Sequence, residues 1–135
     1  MALLCGVLFC GCKKDKDEAN KYPSYDKVAQ MLPGVWECVD SYIPEDEGYI
    51  LEFVSSRNGS GTCYINETPY DWQLEPVYKE DFTDNVTGCA LALVIGGRYN
   101  WYFVYSISDS KMEWRNIGSN WNESIGNEAV LFERR

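Results

Sequence analysis

From Gly34 to the end of the chain, hydrophobic side chains recur at every second position, the period of strands that bury one face. The pattern predicts eight strands, at about 35–42, 49–54, 61–66, 70–75, 89–95, 99–107, 111–117 and 127–134. In the sixth, Tyr99, Trp101, Phe103, Tyr105 and Ile107 fall on one face, which is expected to point inward. In the seventh, Met112 and Trp114 alternate with Lys111, Glu113 and Arg115. The fifth, Cys89 to Ile95 (CALALVI), is apolar at every position, so cover is expected on both sides, from a helix or a partner. Turn chemistry separates the strands. Arg57-Asn58-Gly59-Ser60 reads as a hairpin, Gly96-Gly97 supplies the positive φ of a two-residue turn, and Ser108-Asp109-Ser110 is a further tight connection.

Ahead of the strands the period changes. In Ser24 to Leu32 (SYDKVAQML), Tyr25, Val28 and Leu32 share a helical face, Ser24 can cap the first free amides, and Pro33-Gly34 stops the segment. One short amphipathic helix is expected there, lying against one end of the β-domain as a plug. Strands joined as consecutive hairpins suggest an all-β, eight-stranded antiparallel up-and-down barrel, which has no open edges. A two-sheet β-sandwich has the same alternation and is the alternative. No internal repeat or second-domain boundary is visible.

The first 23 residues do not join this pattern. Residues 2–11 are apolar, well short of the roughly 20 residues a transmembrane helix needs. Cys12 ends the run, and Lys13-Lys14-Asp15-Lys16-Asp17-Glu18 follows. The junction resembles a bacterial lipoprotein processing site, with Cys12 as the residue that receives lipid. That divides the chain into a signal peptide (1–11), a lipidated charged tether (12–23) and a β-domain with its helix (24–135). No Lys or Arg precedes the apolar run, so either a basic segment upstream of this Met or an atypical signal is expected, the first being favoured. Lys13 and the acidic tract behind it resemble the export signals of surface lipoproteins. Bacterial outer-membrane localisation by a lipid anchor is expected, with the outer face as one orientation.

Charge and chemistry narrow the function by exclusion. Twelve basic residues against 21 acidic ones give a formal net charge of −9, which disfavours nucleic acid as a partner. Membrane attachment must then come from the lipid. The chain has no histidine, which removes the commonest general base and transition-metal ligand. Glu45-Asp46-Glu47 and Glu80-Asp81 with Asp84 read as solvated loop charges. The Asn-x-Ser/Thr matches at Asn58, Asn66, Asn85 and Asn122 read as polar turn residues. Cys38, Cys63 and Cys89 fit no zinc spacing. They leave open one disulfide or three small buried thiols, the second being expected. No catalytic residue, metal site or cofactor is expected.

Three short stretches carry a family resemblance. Leu32-Pro33-Gly34-Val35-Trp36 resembles the opening of the lipocalin-like domains of Bacteroidota lipoproteins. Tyr102 to Trp114 is similar to their tyrosine-rich hairpin, and Leu131 to Arg134 to their closing strand. The resemblance implies a lipocalin-like barrel in which Gly34, Trp36 and Arg134 form a structural closure, with Trp36 stacked on Arg134. It also implies a small apolar or amphipathic ligand inside. Seven rings, Trp36, Phe53, Trp72, Trp101, Phe103, Trp114 and Phe132, would oppose that by filling the interior. The alternative function is a surface module that binds glycan or protein through its loops, with Trp121 as a stacking platform between Asn120 and Asn122. Interior volume separates the two classes. Below about 100 Å³, against the roughly 300 Å³ or more of ordinary ligand pockets, the interior reading falls.

Overall fold

Each predicted strand is present in the computed structural model, which describes residues 22–82, 85–117 and 125–135. Helix α1 (Tyr25–Met31) is followed by β1 (Gly34–Ser41), β2 (Ile50–Arg57), β3 (Ser60–Ile65) and β4 (Thr68–Val77). Then come β5 (Gly88–Ile95), β6 (Arg98–Ile107), β7 (Lys111–Asn116) and β8 (Ala129–Arg134). Every strand pairs antiparallel with the next, and β8 returns to pair with β1. The result is a closed eight-stranded up-and-down barrel, and the sandwich alternative is excluded. The two-residue turns are as the sequence predicts, with Gly96 and Gly97 at φ of 61° and 77°.

Antiparallel order sorts the connections into two ends. The 58–59 and 108–110 connections and residues 78–82 and 85–87 lie with α1 and the C-terminus at one end. The 42–49, 66–67 and 96–97 connections lie at the other, with the end of β7 at Asn116 and the start of β8 at Ala129, and we call it the mouth. At the first end α1 acts as the plug. Ser24 is extended, and its hydroxyl accepts a hydrogen bond from the Lys27 amide at 3.2 Å. Val28 and Leu32 are fully buried in the barrel core beside Trp36, Phe53 and Trp72. The Phe53 and Trp72 rings meet edge to face at 5.7 Å.

One sequence expectation is overturned in β6. Residues directly opposite on paired strands share a face, and β6 pairs Ala90 with Phe103, Leu91 with Tyr102 and Ala92 with Trp101. Leu91 belongs to the barrel core, so Tyr102 and Val104 point in and Trp101, Phe103 and Tyr105 point out. A bulge between Val104 and Ser106 then changes the parity and returns Ile107 to the interior. Tyr99 is 55% exposed. The outward rings are covered by a second apolar cluster that includes Tyr22, Phe82, Val86, Ile117 and Ile125. Tyr22 packs edge-on to Phe103 at 5.0 Å. This cluster, with small Ala90 and Ala92 opposite the large rings, supplies the outer cover that the fully apolar β5 requires.

Candidate functional site

The closed end is built around Arg134. Its guanidinium carbon lies 4.1 Å from the centre of the Trp36 ring. Its Nη1 donates to the Pro33 carbonyl at 3.1 Å, its Nη2 to the Met31 carbonyl, and its Nε to the Asp109 carbonyl at 2.6 Å. Those acceptors include a carbonyl of the last turn of α1, which has no partner within the helix. Gly34 sits at φ 136°, and a Cβ there would collide with Arg134 Nη1. Trp36 Nε1 donates to the Leu32 carbonyl at 2.9 Å. Gly34, Trp36 and Arg134 thus join helix, first strand and last strand through direct contacts.

The mouth half is different. With Trp101 and Phe103 on the outer wall, the interior keeps a cavity of about 200 Å³. Its walls are Leu51, Ile65, Leu93, Ile95, Val130 and Phe132, with Cys38, Tyr102 and Trp114 among them. Tyr102 stacks on Trp114 with ring centres 4.7 Å apart, and Trp114 meets Phe132 edge-on at 4.5 Å. Three rings therefore form one rigid side of the cavity. The volume exceeds the roughly 150 Å³ of a dry protein cavity that admits benzene. It is smaller than the roughly 300 Å³ of drug-sized pockets. A single ring or a short branched chain fits it; a long acyl chain does not.

The lip of the cavity is Tyr42, Asp46 and Tyr49, all from the β1–β2 connection. Main-chain bonds fold this segment back on β1. The Ile43 amide donates to Ser41 Oγ at 3.1 Å, Pro44–Asp46 forms a 3-10 turn, and Gly48 takes the positive φ of 93°. The Gly48 amide then donates to the Cys38 carbonyl, and the Cys38 amide to the Tyr49 carbonyl, each at 2.8 Å. Asp46 is the one formally charged side chain among the described residues of the cavity lining. Sequence reading placed it among solvated loop charges, and nothing local distinguishes it from Glu45 and Glu47, which are exposed. The available signal was the bracket of Tyr42 and Tyr49 around the acidic run.

Electrostatics in the cavity favour protonated hydroxyls and thiol. Burial, with smaller contributions from Tyr42 and Asp46, pushes Tyr102 up to about 12. Tyr42 is also raised, by burial first and then by the charges of Glu128 and Asp46. Cys38 is raised to about 11 by burial and then by Asp46. At neutral pH these groups offer hydrogen bonds rather than charge.

The three described cysteines are free and buried, with no disulfide among them. Cys63 and Cys89 are raised by burial from the ordinary 9.0 to about 12. Their protons leave the unfolded chain near pH 9 and the folded chain only near 12. Their stabilising effect is therefore complete below pH 9 and is lost as pH rises from 9 towards 12. Each should lower the unfolding free energy by about 1.4 kcal/mol per pH unit in that window. Denaturant titrations at pH 8, 9.5 and 10.5 check this, with Cys89→Ala expected to flatten the slope by one thiol's share. An unchanged slope in that variant would count against a buried protonated thiol.

Cys12 and the trio Asn120, Trp121 and Asn122 lie outside the described residues, as does Asp84. A second depression, about 440 Å³, lies on the outer wall and is lined by Ile50, Glu52, Tyr64, Asn66 and Glu67. It is a groove along neighbouring strands, open to solvent, and has less apolar enclosure to offer a ligand than the barrel cavity. Among the described residues, no cluster of Cys, Asp and Glu is placed to hold a metal ion. No family model, curated protein or solved structure matches this chain.

Proposed function

We propose that this protein is a non-enzymatic, lipid-anchored binding protein of the bacterial cell envelope that takes a small amphipathic molecule into the mouth of its barrel. One observation carries the reading: the helix end is filled by the buried side chains of Val28, Leu32, Trp36, Phe53 and Trp72, while the mouth end keeps a cavity of about 200 Å³. The hollow is lined by apolar and tyrosine side chains, the mixture of apolar walls and a few polar groups that ligand pockets use. An eight-stranded barrel has room for one small ligand when its side chains do not fill it. The lipocalin-like motifs and the Trp36–Arg134 closure support the same reading.

Location is the second half of the proposal. Lipid on Cys12 would hold the barrel at the outer membrane, and the charged residues after it would act as a spacer. Mass spectrometry of protein extracted from membranes should find Cys12 at the N-terminus with acyl mass attached. An unmodified Cys12, or a retained Met1, would remove the anchor from the account. Ligand binding has its own test. Benzyl alcohol, an amphipath of one ring, should bind saturably at one site by calorimetry, with a dissociation constant on the order of 1 mM, as suits so few atoms. A linear, unsaturable response would remove the cavity reading.

A further inference from the structure

Resting on that cavity reading, we propose that the ligand is an organic cation, a small ammonium compound whose apolar part lies in the barrel and whose charge sits at the lip beside Asp46. The lip presents one carboxylate and two tyrosines, and the stacked rings of Tyr102 and Trp114 line the cavity just inside. Aromatic faces attract cations through the ring quadrupole, and an ammonium group desolvated between rings and a carboxylate gains from both. Among the described residues, no Lys or Arg lines the cavity. The ion pairs found among the described residues, Arg115–Glu113 and Arg135–Glu37, leave Asp46 out.

An anionic ligand meets the opposite situation. Its carboxylate would be desolvated with no basic partner and with Asp46 facing it, a combination that is unfavourable without a compensating charge. Glu128 also acts on Tyr42 at the lip, so negative potential reaches the mouth from two connections. The overall net charge of −9 favours approach of cations in the same direction. A neutral ligand fits the walls but leaves the carboxylate unused.

Benzylammonium, benzyl alcohol and benzoate are close in size and differ in charge, so their affinities separate shape from electrostatics. Calorimetric titration at neutral pH and low salt should rank benzylammonium tightest, by roughly five- to thirty-fold over benzyl alcohol, with benzoate weakest. Asp46→Asn should bring benzylammonium to within about two-fold of benzyl alcohol, through a loss of affinity for the cation that is several-fold larger than any change for the alcohol. The turn carrying residue 46 is held by main-chain bonds, Asp46 amide to Ile43 carbonyl at 2.9 Å and Tyr49 amide to Asp46 carbonyl at 3.1 Å. An unchanged melting temperature verifies that it stays folded in the variant. Equal affinity for cation and alcohol in the native protein, or a cation preference that survives Asp46→Asn, overturns the charge assignment while the cavity reading stands. Failure of all three compounds to bind overturns both.

Discussion

Replacing Trp36 with Ala is expected to lower the unfolding free energy by about 3–5 kcal/mol, the usual cost of truncating a fully buried Trp. Against a total of about 5–15 kcal/mol for a domain, that loss brings the barrel near the limit of stability. The effect is large because the ring has three roles at once. It fills the core under α1, donates to the Leu32 carbonyl, and provides the face on which Arg134 stacks. Arg134→Ala should also destabilise, since it removes three donors to carbonyls of the helix end and of the β6–β7 turn. The two losses should fall short of additivity in the double variant, by about 1 kcal/mol, because each single change already removes the stacking contact. Chemical denaturation of the four proteins measures this. Strict additivity would mean that the stacked pair contributes nothing beyond its separate neighbours.

Leu93→Trp should abolish ligand binding and change stability by less than about 1 kcal/mol, because the cavity already contains the space an indole needs. Leu74→Trp provides the contrast. Leu74 lies on β4 in the same core but does not line the cavity, so the added bulk has nowhere to go. Overpacking there should cost about 1–3 kcal/mol or more. Melting curves together with benzyl alcohol titrations read both effects. If Leu93→Trp is the more damaging of the two, the mouth is packed in solution and the hollow interior is not a property of the folded protein.

Much of the architecture was legible because local chemistry and global fold agree. Asn58-Gly59 and Gly96-Gly97 fix two hairpins by backbone preference alone, and Ser24 and Pro33-Gly34 bound the helix. Gly34, Trp36 and Arg134 were legible through their likeness to a known motif, and the collision between a Cβ at 34 and the guanidinium supplies the physical reason for the glycine.

Two features were not legible, for related reasons. Hydrophobicity alone assigns the richer face of β6 to the interior, yet pairing with β5 puts Trp101 and Phe103 outside. Which face turns inward depends on cover from Tyr22, Phe82 and Val86, far away in sequence. The small Ala90 and Ala92 were the clue, since large outward rings need small neighbours across the strand pair. Misplacing those two rings also hides the cavity, because an interior holding all seven rings has no volume to spare. Asp46 was missed because its importance comes from the fold of the β1–β2 connection over the mouth.

Amide chemical shifts of the ¹⁵N-labelled protein during a benzyl alcohol titration separate a filled helix end from a hollow, ligand-accepting mouth residue by residue. Saturable shifts are expected at Leu51, Leu93, Tyr102, Trp114, Val130 and Phe132, with Val28, Trp36 and Trp72 unmoved. Shifts confined to the outer wall, or centred on the helix end, would contradict that division.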